Sequence, residues 1–258
     1  MSTVISHVGV LLLQQDLWEV RLSGMLAIKG ILRVSRANLS VTMAVVDLVA
    51  GRLQDKDDDV RAVITDAFSI ALATIAKERA PLLPQVCAFA WQALRDDFEC
   101  QKENFQGAFT EPVLKLLAAL YTTQQSLAWA DGQPVPIAHF ELLSKFARDP
   151  RKLCRREAAR SIAALCNAYA KEADRVPGEW KMRALAVPAR FVFEALLLET
   201  EIDPVLGLHN ALGSAWRELL LLCGDDAVAA ALAAHVPSLL SLACTPLGMV
   251  GCVVVLCV

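Results

Sequence analysis

Five cations fall within nine residues at Arg148, Arg151, Lys152, Arg155 and Arg156. On a helix, Lys152, Arg155 and Arg156 share a face, and Arg160 lies one turn further on. Clustered positive charge of this kind suits DNA phosphate or the acidic surface of a protein partner. Asp149 and Glu157 lie in the same stretch as local counter-charges, so a solvated face is the competing reading. No aromatic side chains interleave with these cations, which disfavours base stacking on single-stranded nucleic acid.

The second charged cluster is acidic: Asp55, Asp57, Asp58 and Asp59 surround Lys56. The spacing invites a calcium loop, but the glycine of the sharp turn and the terminal bidentate glutamate are missing. At the start of a helix the same acids favour the positive end of the helix dipole, and Asp57 or Asp58 can serve as N-cap. Asp55, Lys56 and Asp57 are expected to stand exposed on a turn, available to a partner without disturbing the core.

Catalytic signatures are absent from the sequence. It has no phosphate loop, no Gly-x-Ser-x-Gly elbow, no His-Glu-x-x-His metal pair and no Gly-x-Gly-x-x-Gly turn. His7, His139, His209 and His235 are scattered, and the eight cysteines form no Cys-x-x-Cys pair. Cys87, Cys100, Cys154, Cys166, Cys223, Cys244, Cys252 and Cys257 read as small buried hydrophobes in a reducing compartment. No enzyme activity, cofactor, metal or small-molecule substrate is expected.

What positions the charged clusters is a helical array. Of the 258 residues, 55% are hydrophobic and 21% charged, the net charge is −3, and aromatics make up only 6%. These values exclude disorder and a globally basic nucleic-acid binder, and favour helices over a sandwich or barrel. Two segments, Trp18-Glu19-Val20-Arg21 and Asp58-Asp59-Val60-Arg61, place arginines forty residues apart, and Arg155 follows Arg61 by ninety-four. A unit of about 40–47 residues is the period of HEAT and armadillo helix pairs. After Asp58, apolar residues recur at Val60, Val63, Ile64, Ala67, Phe68, Ala71, Leu72 and Ile75, a continuous helical stripe.

Extending the pattern gives an all-α fold, an α-α superhelix of the HEAT or armadillo kind with about six pairs. They are Val4–Gln14 with Leu17–Val34, Val41–Leu53 with Asp59–Lys77, and Leu82–Leu94 with Gln101–Tyr121. Ile137–Phe146 with Leu153–Ala170, Val187–Leu198 with Leu206–Cys223, and a sixth beginning at Ala227–Leu242 follow. Thr122–Pro136 and Lys171–Lys181 read as surface insertions. Arg21, Arg61 and Arg155, near the start of successive second helices, are expected to bond acidic or carbonyl groups of the adjacent turn. The array occupies residues 1–247, and 248–258 form an apolar tail that continues no repeat. No Asp, Glu, Lys or Arg occurs from Ala227 to Val258, but Pro237 and Pro246 break the run, and a core helix explains it better than a membrane anchor.

Several pieces carry a resemblance. Leu17-Trp18-Glu19-Val20-Arg21 with Gly24–Lys29, then Gly51–Val63, is similar to the amino-terminal HEAT region of the TATA-binding-protein-associated factors, which are Swi2/Snf2-type ATPases. Trp91-Gln92-Ala93-Leu94, Leu196–Glu199, Trp216–Leu220 and Val228–Pro246 resemble the same region in the same order. Leu22-Ser23 stands where that family favours His-Gly, Phe98–Thr110 departs from its polar helix, and Met249–Val258 matches nothing in it. The resemblance implies a nuclear, protein-binding scaffold for TATA-binding protein, with the ATPase motor absent and the chain a fragment. A generic HEAT adaptor for another partner shares the Val-Arg anchors but not the whole Asp55–Val63 string. A membrane-tail-anchored adaptor would depend on Val236–Val258.

Overall fold

The computed structural model describes residues 5, 9, 13, 15–35, 38–50, 52–53, 55–101, 109–130, 133–171, 175–198, 207–233 and 237. The chain divides into two compact units that meet at Leu127 and Ala128. In the first unit the helices are α1 (Trp18–Ser35), α2 (Leu39–Ala50), α3 (Asp58–Glu78), α4 (Leu83–Gln101) and α5 (Thr110–Thr123). The second unit holds α6 (Ile137–Phe146), α7 (Lys152–Ala170), α8 (Gly178–Leu198), α9 (Leu208–Cys223) and α10 (Asp225–Ala233).

Helix α3 illustrates why these segments are helical. Its buried residues include Val60, Ile64, Ala67, Phe68, Ala71, Leu72 and Ile75, the stripe legible in the sequence. Asp57 caps it in extended backbone, its carboxylate accepting from the Asp59 and Val60 amides, while Asp58 and Asp59 occupy the first turn. Arg79 ends the helix, and Pro81 follows within a short 3-10 turn, Ala80–Leu82. At the end of α9, Gly224 adopts φ 79°, a left-handed stop that a side chain would strain.

Packing in both units is dominated by contacts between alternate helices, with sequence neighbours adding to them. In the first unit α1, α3 and α5 form a continuous layer, with α2 against α1 and α3, and α4 against α5. In the second, α7 packs on α9, while α6, α8 and α10 make the other layer. A single pair cannot cover its apolar face, so stacked pairs share one core. The result is an all-α array of the solenoid type. Met25, Ile28, Ile64, Phe68 and Leu117 are sealed in the first core, and Phe140, Ile162, Leu165 and Leu212 in the second.

Three boundaries differ from the periodicity. Helix α4 continues to Gln101 instead of stopping at Leu94, and α5 starts at Thr110 instead of Gln101. Helix α8 begins at Gly178, nine residues before the expected Val187, and runs through Pro188. Pro188 removes one helical hydrogen bond, but packing outweighs it: the Trp180 ring lies 5.0 Å from Tyr169 and 5.7 Å from Phe140. The last four residues of the expected connector, Gly178–Lys181, are thus the first turn of a helix.

The stretch expected as a surface insertion, Thr122–Pro136, is also fastened inward. It contains a 3-10 turn, Gln125–Ala128, and a two-residue antiparallel pair, β1 (Trp129–Ala130) with β2 (Gln133–Pro134). Ala128 and Val135 are buried. The Tyr169 hydroxyl donates to the Ala128 carbonyl at 2.8 Å and accepts from the Val135 amide at 3.1 Å. Among the described residues no helix is long and apolar enough to cross a membrane. The run Val236–Val258 lies outside the described residues except for Pro237.

Candidate functional site

The arginine that recurs in sequence recurs in geometry. Arg21, Arg61 and Arg155 are each the fourth residue of their helix, α1, α3 and α7. Each guanidinium turns back to main-chain carbonyls five or six residues earlier. Arg21 Nη1 donates to Gln15 O at 3.0 Å and Asp16 O at 2.7 Å. Arg61 Nη1 donates to Asp55 O at 3.1 Å, and Arg155 Nη1 to Asp149 O at 2.9 Å and Pro150 O at 3.0 Å. The expected bonding to the adjacent turn is present at all three.

Six residues before Arg61 and Arg155 stand Asp55 and Asp149, and both fold the turn in the same way. Asp55 Oδ1 accepts from the Asp57 amide at 3.0 Å, and Asp149 Oδ1 from the Arg151 amide at 2.8 Å. Such Asx turns satisfy amides that precede the helix. Asp55 also receives Arg21 from the preceding repeat, through Nε at 2.9 Å and Nη2 at 3.0 Å. One guanidinium therefore joins two successive turns.

Electrostatics follow this geometry. Burial works to raise the Asp55 carboxyl, but the Arg21 hydrogen bonds and the Asp57 amide outweigh it, and the group is held below its ordinary value. Across the layer, Asp66 on α3 receives Lys29 of α1 at 2.5 Å and Lys115 of α5 at 3.4 Å. Burial opposes ionisation there too, and the two ammonium groups win, lowering the Asp66 carboxyl. These pairs link α1, α3 and α5 at two levels.

The expectation that Asp55 is exposed is corrected: its side chain is only 5% exposed, because it is taken up by Arg21. Asp57 is half-buried as the cap of α3, and Lys56 alone of the three is exposed. The basic residues divide similarly. Arg151 holds Asp149 at 2.9 Å, Arg155 holds carbonyls, and Arg156 holds the buried Glu157 at 2.6 Å. Lys152 is half-buried at the start of α7. Arg148 is 54% exposed and reaches Glu194 at 3.8 Å. Arg160, 52% exposed, shares Glu157 at 3.1 Å. The counter-charges are thus buried under the cations, which differs from a freely solvated face.

Sequence reasoning missed Leu17 and Trp18, which are 66% and 41% exposed at the start of α1. It also missed Arg190, Phe191 and Glu194 on α8. Arg190 bonds Glu194 at 2.9 Å, and the Arg148 guanidinium lies 5.3 Å from the Phe191 ring centre. The four-residue spacing of Arg190 and Glu194 was the available signal. Among the described residues no group of three His, Cys, Asp or Glu side chains could hold a metal ion. Cys87, Cys154 and Cys166 are buried and Cys223 is half-buried, and none is in a disulfide.

Fold and surface together define an all-α scaffold: stacked helices whose charged turns are fastened by recurring arginines, two in the first unit and one in the second. The chain resembles the TATA-binding-protein-associated factors. It is 27% identical over 220 residues to human TATA-binding protein-associated factor 172, covering 81% of this chain and 10% of that protein. It is 24% identical over 267 residues to TATA-binding protein-associated factor BTAF1 of Arabidopsis thaliana, covering 90% of this chain and 12% of that protein. The chain therefore spans about a tenth of the length of these relatives. No protein-family model and no solved structure matches it.

Proposed function

We propose that the chain is a protein-binding HEAT scaffold, part of a nuclear transcription regulator, that contacts TATA-binding protein through its repeat turns and contributes binding and no catalysis. The observation that carries this reading is the arginine box at Arg21, Arg61 and Arg155. The acceptors common to all three are main-chain carbonyls, which any residue supplies, so side chains at the turn can vary while that shared bond is kept. At the two positions directly preceding and opening the second helix, the three boxes carry Leu17-Trp18, Asp57-Asp58 and Arg151-Lys152. One frame holding three surface chemistries is the organisation of a recognition scaffold. The names of the two relatives supply the partner.

Within the same reading, Arg148, Arg151, Lys152, Arg155 and Arg156 form a second contact, for DNA or an acidic surface. Arg148 is its most accessible member, and Arg151, Arg155 and Arg156 stand beside it, held by Asp149, Glu157 and the turn.

The test is retention of purified TATA-binding protein by the immobilised full chain at low salt and without ATP. Binding that weakens as salt rises supports the reading, because exposed charges are screened over about 8–10 Å at physiological ionic strength. A folded, helical sample that retains none favours an adaptor for another partner.

A further inference from the structure

We infer that the edge formed by the starts of α1 and α3 is a docking surface for a basic partner segment that carries an aliphatic or aromatic side chain. The inference rests on the scaffold reading but not on the identity of the partner.

Three observations define the surface. Leu17 and Trp18 are 66% and 41% exposed although both are large and apolar. Tryptophan is the side chain most enriched among residues that dominate binding energy, since it buries a large area at little entropic cost. The second observation is placement. Arg21 bonds the carbonyls of Gln15 and Asp16 with one nitrogen and the Asp55 carboxylate with the others. The two turns therefore lie on either side of a single guanidinium, and the exposed pair on α1 stands next to the first turn of α3.

The third observation is charge. Asp16 and Glu19 bracket the apolar pair and are exposed, and Asp59 is exposed at the neighbouring helix start. Of the nearby cations, Arg21 and Arg61 are bound to Asp55 and Asp58, and Lys56 stands exposed on the same turn, so three exposed carboxylates, Asp16, Glu19 and Asp59, outnumber one exposed ammonium. An apolar centre with a carboxylate rim is complementary to lysine or arginine side chains flanking one apolar residue. A second copy of the same edge is a poor occupant, because it would set acid against acid.

The test is a titration of the full chain with two short fluorescent helical peptides, one with leucine and phenylalanine flanked by lysines, the other with glutamate in place of each lysine. TATA-binding protein is titrated in parallel. The lysine peptide should bind and the glutamate peptide should not. Leu17→Ser with Trp18→Ser should weaken the lysine peptide about tenfold or more, and Asp59→Lys should weaken it with a reduced salt dependence. Both changes lie on the surface, and unchanged helical content and melting of each variant establish that the fold is intact.

Equal binding of the two peptides, binding of neither, or binding indifferent to the variants overturns the inference. Concentration-dependent self-association that Trp18→Ser abolishes also overturns it, by placing a second copy on the edge. TATA-binding protein retained equally by wild type and variants would leave the proposed function standing while this surface falls. The lysine peptide bound and TATA-binding protein refused would do the reverse.

Discussion

Arg21 and Asp55, thirty-four residues apart, meet in two parallel hydrogen bonds of 2.9 and 3.0 Å. The fork of the guanidinium matches the carboxylate, and the geometry cannot be kept by lysine. Because Arg21 also holds two carbonyls of its own turn, the pair fastens one repeat to the next. Asp55→Ala should destabilise the first unit by about 1–3 kcal/mol, less than a deep ion pair because the edge is close to solvent. Arg21→Lys should recover little of the loss. Urea melts of both variants and the double substitution measure the coupling, and additive losses would show that the two residues act independently.

Arg61 touches its turn, Asp58 and an aromatic ring at once. It donates to Asp55 O at 3.1 Å, pairs with Asp58, and lies 5.0 Å from the Phe109 ring centre. Arg61→Ala should lower stability by about 1–2 kcal/mol. Unchanged thermal melting of the variant would show that the contacts contribute nothing net.

Asp55 and Asp66 make stability depend on acid in a definite direction. Both carboxyls are held below the ordinary value of 3.8 in the folded chain. Their contribution is therefore fully present above that value and is lost as pH falls through the lower folded values. The first unit should weaken on acidification below about pH 4, and Asp66→Asn should flatten that part of the profile. Stability of wild type and variant followed from about pH 6 to about pH 2, across the carboxylate range, checks the sign. A steeper loss in the variant would contradict it.

Tyr169 is the clasp on the segment between α5 and α6. Tyr169→Phe keeps the ring among Trp129, Phe140 and Trp180 but removes the hydroxyl that serves Ala128 O and Val135 N. A loss of about 1–2 kcal/mol is expected, with the buried Val135 amide left without its acceptor. Faster hydrogen exchange at Val135, with the α7 amides unchanged, is the expected signature. Exchange rising evenly over the second unit would place the hydroxyl's role elsewhere.

Periodicity made α3 and α6 legible almost to the residue, because nothing competes with the apolar stripe and the Asp57 cap or the Pro136 start. It failed where two local signals conflicted with contacts distant in sequence. Gly178 and Pro188 argue against α8, and contacts distant in sequence hold the helix across them: packing on α6, α9 and α10, with Trp180 against Phe140 and Tyr169. The arginine boxes were readable as a repeat of type and spacing. Which charges remain accessible was not: Asp55 and Lys56 are neighbours of equal polarity, and only the arrival of Arg21 from the previous repeat separates a covered carboxylate from an exposed ammonium.

The chain contains just two tyrosines. Tyr121 lies in the first unit and Tyr169 in the second, and both are sealed at 0% exposure. Burial also pushes the Tyr169 phenol well above its ordinary range, so an electrophile that attacks phenolate finds little to react with in the closed form. Nitration can then proceed only through transient opening. With a single reporter in each half, the two reaction rates form a pair of clocks, each timing how often its own half of the molecule breathes.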